Sequence, residues 1–258
     1  MSDPTNTKIQ SDLLITSLLA RGFFYEFISN LFRHPKNTQA QKDMKYYQSS
    51  LILLLQYFDI SQKEKLRELF EKLIYDLEHV SQADWIDQYE YYLGHTALGR
   101  VPAYENEYGE EHSYRQPHEL SDIASFYHAF GLQINSKTRE RVDHVSVECE
   151  FMALLIYKEV YALEQNEQEH AEICRNAAHR FLSEHLGRWL PAFTARLLLK
   201  TQKGIMHSIA EVASIFIAKD CETIGIDSGR LDLHIREIDT VQDSGCVSCS
   251  VKGVCRPQ

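Results

Sequence analysis

Arg141-Val142-Asp143-His144-Val145-Ser146-Val147-Glu148-Cys149-Glu150-Phe151-Met152 opens the least polar helix-length run of the chain. Between Phe151 and Leu163 only Lys158 and Glu159 carry charge. A helix apolar on nearly every side is a buried one, and other elements must pack around it. Asp143 is expected to cap it, its carboxylate accepting from the orphan amides of the first turn. His144, Glu148 and Met152 then stand four residues apart and share one face. A titratable cluster thus sits at the mouth of a central helix. Acidic residues near a helix N-terminus are also ordinary stabilising choices. Spacing alone therefore leaves open whether the cluster serves a ligand or only the helix.

Working outward, the helical period dominates and the alternating period of strands is scarce. Six prolines and eleven glycines punctuate 258 residues, as suits long helices with short connections. The pattern predicts helices over roughly 10–33, 39–57, 61–79, 82–93, 119–130, 143–165, 167–185, 189–202 and 205–223. In the first, Leu13, Leu14, Leu18, Phe24, Phe27, Ile28 and Leu31 are expected to face inward. Phe181 to Pro191 reads as a helix–helix junction, with Gly187 as a C-terminal cap and Pro191 in a first turn. Trp189 is expected in the core. The economical reading is an all-α, single-domain helical bundle of roughly nine helices over 1–225. An irregular cysteine-containing tail, 226–258, follows it.

A formal charge of −10 argues against nucleic acid or an anionic membrane as partner and favours basic partners or simple solubility. No run of about 18 apolar residues is present, so no transmembrane segment is expected. Met1 to Gln10 lacks the character of a signal peptide, and a cytoplasmic location is expected.

From Asp84 to Tyr114 the texture changes. Asp84, Asp87, Glu90, Glu105, Glu107, Glu110 and Glu111 face a single local cation, Arg100. Trp85, Tyr89, Tyr91, Tyr92, Tyr104, Tyr108 and Tyr114 are interleaved with them. Gly94 to Gln116 has little helical pattern, and a loop of that length in a compact domain is often functional. Two readings are open: a surface loop whose aromatics anchor in the core, or a groove for a peptide both basic and apolar. Glu167-x-x-His170 has no second copy, so a carboxylate-bridged di-iron bundle is discarded and the pair is read as surface.

Three segments resemble the TorD/DmsD/NarJ family of cytoplasmic chaperones for molybdenum oxidoreductases. Asp143-His144 with Glu148, Phe151 and Met152 is similar to its most specific signature, with Val142 where the family often has proline. Pro102-Ala103-Tyr104-Glu105-Asn106 resembles its Pro-Tyr-Glu-Ser loop, with Ala103 inserted and Asn106 in place of serine. Phe181 to Trp189 resembles its Phe-Leu-x-x-His-Leu-x-x-Trp. The resemblance implies an all-helical binding protein without catalysis. It would bind the twin-arginine signal peptide and apo form of a molybdopterin oxidoreductase of the DMSO reductase superfamily, assist cofactor insertion and delay export until folding is complete. Some members are described as binding GTP weakly, and a homodimer is compatible with the family. The resemblance and the groove reading together assign client or signal-peptide binding to Trp85, Tyr89, Tyr104, Glu105, Tyr108, Asp143, His144 and Glu148.

Cys246 and Cys249 have the two-residue spacing that lets both thiolates reach one ion, and Cys255 follows. Zinc or an iron–sulfur cluster normally takes four ligands. Cys221 or His234 could supply the fourth, or a partner chain could. A dithiol switch is the other reading of the pair. The alternative function is accordingly a redox- or metal-sensing regulator working through this tail. A hydrolase using His144 and Glu148 lacks a nucleophile at a strained turn or a Gly-rich phosphate loop.

Overall fold

The computed structural model describes residues 4–38, 40–42, 47, 60–94, 99–109, 116–133 and 140–236. Its helices are α1 (Pro4–Phe32), α2 (Ile60–His79), α3 (Gln82–Tyr92), α4 (Gln116–Ala129), α5 (Val145–Glu164), α6 (Gln168–Phe181), α7 (Gly187–Lys200) and α8 (Ile205–Thr223). The helix expected over 39–57 lies mostly outside the described residues. No strand occurs among the described residues, only isolated bridges.

The apolar run of α5 makes it the central helix, with twelve of its twenty residues buried. It packs most widely on α1, which runs antiparallel to it: Arg33 pairs with Glu150 at 2.6 Å, and Tyr157 donates to Glu26 at 2.8 Å. On the other side of α1 lies α8, again antiparallel. There Arg21 grips Asp220 through two bonds of 2.7 and 2.9 Å, Tyr25 donates to the same carboxylate, and Phe24 stacks on Phe216. These charges are buried, so each needs the other.

The inward face of α1 starts later than its pattern suggests. Of the expected face, Leu18, Phe24, Phe27, Ile28 and Leu31 are buried, but Leu13 is 65% exposed and Leu14 44%. The reason is length. Asp220, near the end of α8, already stands opposite Arg21, so α8 offers nothing to the turns of α1 before it.

The junction at Gly187 also differs from expectation. The chain does not break there: α6 runs into α7 through a π turn, Leu182–Leu186, and Gly187 is right-handed at φ −68°. Gly187 is needed for space instead. A Cβ would stand 2.5 Å from the Leu182 carbonyl oxygen and 3.2 Å from Cys221 Sγ. Pro191, inside α7, has no N–H to donate to the Gly187 carbonyl four residues back. Gly229 N–H supplies that bond at 2.8 Å, which fastens the segment after α8 onto the kink.

Candidate functional site

The Pro102–Tyr108 loop is tied to the mouth of α5 by main-chain pairing. Tyr104 and His144 form an antiparallel bridge, flanked by Val145 N–H to Ala103 O and Glu105 N–H to Asp143 O, both 2.9 Å. Alternation along an extended segment sends neighbouring side chains to opposite sides. Tyr104 stays half-buried beside His144, with ring centroids 5.0 Å apart, whereas Glu105 turns into the interior.

At α5 the cap is His144, not Asp143. His144 Nδ1 accepts from Ser146 N–H at 3.2 Å. Burial and the charges of Arg141 and Arg33 push its pKa down to about 3, so the ring is neutral and Nε2 carries the proton. Asp143 serves the loop. Its Oδ2 accepts from Asn106 N–H at 3.1 Å, and both oxygens are held by Arg141 at 2.9 and 2.7 Å. The cap moved by one residue because the Asp143 backbone is engaged with the loop.

All three family-like segments meet in one buried node. Glu105 accepts from Arg188 at 2.8 Å and lies 3.1 Å from His185 Nδ1. Glu148, fully buried, accepts from Trp189 Nε1–H at 3.0 Å. Its other oxygen has no donor and faces Glu105. Burial, then the Glu105 charge, holds the Glu148 carboxyl well above its ordinary range. A proton on that oxygen turns two repelling carboxylates into an acid–carboxylate hydrogen bond.

On the other side of the Tyr104–His144 bridge is a pocket of about 150 Å³. It is lined by His34 and Asn37 after α1, Tyr89 and Gly94 at the end of α3, Tyr104 on the loop, and Glu140 and His144 before α5. Tyr104 Oη donates to Glu140 at 3.4 Å, and His144 Nε2 lies 3.8 Å from the same carboxylate. Burial raises the Glu140 and Tyr104 pKa values. Arg141 stacks over the outer face of Tyr104 at 4.7 Å. The arrangement offers one half-buried carboxylate among aromatic rings, which suits a cationic side chain with an apolar stem.

The predicted residues therefore divide. Tyr89, Tyr104 and His144 line the pocket. Glu105, Glu148 and Asp143 are interior groups that hold the loop and helix together. Trp85 and Tyr108 are core anchors, and the Tyr108 hydroxyl donates to Pro102 O at 2.8 Å. The acidic stretch is also less free than its local sequence implies. Glu107 is paired with Arg141, Glu105 with Arg188 and Glu90 with His34, all supplied from distant parts of the chain. Glu110, Glu111 and Tyr114 lie outside the described residues. Sequence reasoning missed His34, Asn37, Glu140 and Arg188; Glu140 directly precedes Arg141 and the helix mouth, but His34 has no local signal.

Cys246, Cys249 and Cys255 lie outside the described residues, and no cluster of three or more metal-ligating side chains occurs among the described ones. Cys221, suggested as a further ligand, is buried against Gly187 with its thiol pushed up to about 12, largely by burial; His234 is exposed. Residues 226–236, set apart as tail, are docked on the helices. Glu167 and His170 form an exposed pair, 2.8 Å apart. No helix among the described residues is long and apolar enough to cross a membrane.

Comparison with known proteins shows the family of the chain. The chlorate reductase assembly chaperone of Ideonella dechloratans is 41% identical over 78 residues, 30% of this chain and 39% of that protein. The selenate reductase assembly chaperone of Thauera selenatis is 40% identical over 78 residues, with the same shares. The matched stretch thus spans well under two thirds of either relative. The chaperone protein TorD of Vibrio parahaemolyticus is 22% identical over 206 residues, 78% of this chain and 92% of that protein. The first two are named assembly chaperones and the third a chaperone. The family model of the nitrate reductase delta subunit matches residues 60–195, which hold the pocket loop, the mouth of α5 and the α6–α7 junction. That match covers more than half of the chain, which therefore belongs to the nitrate reductase delta subunit family, the TorD/NarJ group.

Proposed function

We propose that the chain is a system-specific assembly chaperone for a molybdopterin oxidoreductase. It binds the apo form of the catalytic subunit and its twin-arginine signal peptide, assists cofactor insertion and delays export until folding is complete. The observation that carries this reading is membership of a family whose relatives are assembly chaperones of chlorate and selenate reductases.

The pocket at the mouth of α5 is the proposed seat of a signal-peptide arginine. Its guanidinium would pair with Glu140, and its stem would pack on Tyr89 and Tyr104. The apolar part of the signal would follow the surface beyond.

Calorimetry with a twin-arginine signal peptide of a chlorate- or selenate-reductase-type enzyme tests this. Binding is expected, and weakening is expected when both arginines become glutamine. Removing one partner of a buried, hydrogen-bonded charge pair costs about 2–5 kcal/mol. Equal affinity for the neutral peptide would remove the guanidinium from the recognition. Failure of any such reductase subunit to co-purify from the native host would remove the chaperone reading itself.

A further inference from the structure

After α8 the chain crosses the α6–α7 kink and ends its described course on the far end of the motif loop. There it makes an antiparallel bridge between Ile235 and Tyr108. Gly109 N–H donates to His234 O at 2.9 Å, and Arg236 N–H donates to Glu107 O at 2.8 Å. The Arg236 side chain is buried and fully bonded. Its two terminal nitrogens grip the Glu119 carboxylate at 2.8 and 3.1 Å, and Nε donates to Tyr108 O at 3.2 Å. Gly109, at φ +127°, leaves room for it; a Cβ there would stand 3.3 Å from Arg236 Nη2.

We infer that Glu119, the Tyr108 carbonyl and the 107–109 loop edge form a second recognition site, for an extended arginine-bearing segment, which Arg236 and its strap occupy in the isolated chain. Main-chain pairing of this kind reads no side chain, and only the guanidinium fork is read specifically. A client segment with arginine in an extended stretch satisfies the same three bonds. The strap is built for release. Asp227, Ser228, Arg230, Leu231, Asp232 and His234 are exposed, and Ile226, Leu233 and Ile235, its apolar side chains that pack on the core, are only partly buried. Besides this packing, single bonds fasten it along its course, among them Gly229 N–H to Gly187 O and Arg196 to Leu233 O at 2.6 Å. This site shares Glu107 with Arg141 and thereby adjoins the pocket loop. The identity of the segment as a client's rests on the proposed function; the arginine site itself does not.

The test uses the full chain and a synthetic peptide with the sequence of residues 230–236 as probe. Arg236→Ala empties the Glu119 end of the site and leaves the strap held there by main-chain pairing alone, and this variant is expected to bind the probe at least about tenfold more tightly than the wild type, by mass action on a site less firmly filled in cis. Adding Glu119→Gln, or using a probe whose last arginine is glutamine, is expected to abolish the gain. Hydrogen exchange on the wild type gives a second readout. The amides of Gly109 and Arg236 are expected to exchange together and well ahead of the α5 core. No gain in probe binding, an Arg236→Ala chain that does not fold, or exchange of those amides only with global unfolding would each overturn the inference. These outcomes leave calorimetry at the Glu140 pocket untouched, so the two proposals fail separately.

Discussion

Replacing Glu148 by glutamine should make the protein more stable at neutral pH, although it alters a fully buried acidic residue of the family signature. Glu148 has one hydrogen-bond donor, Trp189 Nε1–H, and faces the Glu105 carboxylate with its other oxygen. Glu105 is the member bonded to Arg188 and close to His185, whereas Glu148, whose pKa is raised by burial, holds the proton. Glutamine reproduces that state: its carbonyl accepts from Trp189 and its amide donates to Glu105.

The sign of the pH dependence follows. The Glu148 pKa is raised by burial and by Glu105, so above about pH 4.3 the unfolded chain gives up a proton that the folded chain keeps. Rising pH then costs the wild type up to about 1.4 kcal/mol per unit until the folded pKa is passed. The glutamine variant has no such cost. His144 complicates the raw profile in the opposite sense. Its folded pKa is about 3, so its contribution is present above its unfolded value near 6.5 and is lost as pH falls below that. The difference between variant and wild type cancels this contribution, which both share.

Urea unfolding of both proteins at intervals from pH 4.5 to 8 measures the difference. It is expected to be small near pH 4.5 and to grow in favour of Glu148→Gln as pH rises. A difference that stays flat across the range would refute the shared-proton pair. As a contrast at pH 7, Glu105→Gln is expected to cost about 2–3 kcal/mol, because it takes the charge from two donors that remain.

Asp143→Ala should cost about 2–3 kcal/mol, rather than the ~1 kcal/mol of a lost helix cap, because it strands the Asn106 amide and breaks the Arg141 fork. A cost near 1 kcal/mol by urea unfolding would return Asp143 to a capping role. Asp220→Ala should cost about 3–5 kcal/mol by leaving Arg21 buried without its carboxylate; a loss under about 1 kcal/mol would show that α1 and α8 do not depend on that pair. For the tail, anaerobic purification followed by metal analysis is expected to find zinc or iron held by Cys246, Cys249 and Cys255. Substoichiometric metal, unchanged when Cys246 and Cys249 become serine, would end that expectation.

The central helix was legible because burial of α5 shows directly as a run nearly free of charge. The continuity of α6 into α7 was not. Gly187 and Pro191 carry the marks of a helix boundary, but the fold uses the glycine for close approach to Leu182 O and repairs the proline's missing bond from Gly229, forty residues on. The same limit governs the site. Glu105, Glu107 and Glu90 looked unbalanced because Arg188, Arg141 and His34 are distant in sequence, and periodicity says nothing about which distant cation arrives. Tyr89, Tyr104 and His144 could be picked out, but not the division of their neighbours between pocket and interior.

That division has a mechanical consequence. Tyr104 and Glu105 are consecutive, yet one lines the pocket and the other enters the buried node. His144 and Glu148 stand one helical turn apart and divide in the same way. The Tyr104 and His144 walls are therefore joined by a residue or a turn to groups held by Arg188, His185 or Trp189 at the α6–α7 junction. A ligand that moves Tyr104 must strain Glu105 against a hydrogen-bonded interior, and packed interiors resist small displacements. If the pocket takes a client side chain as proposed, the buried acids of the signature would act on it through the residues beside them, by fixing the positions of Tyr104 and His144 before anything binds. Preformed geometry of this kind lowers the ordering cost of recognition, which is where a single pocket of about 150 Å³ can gain selectivity for one side chain of a long peptide.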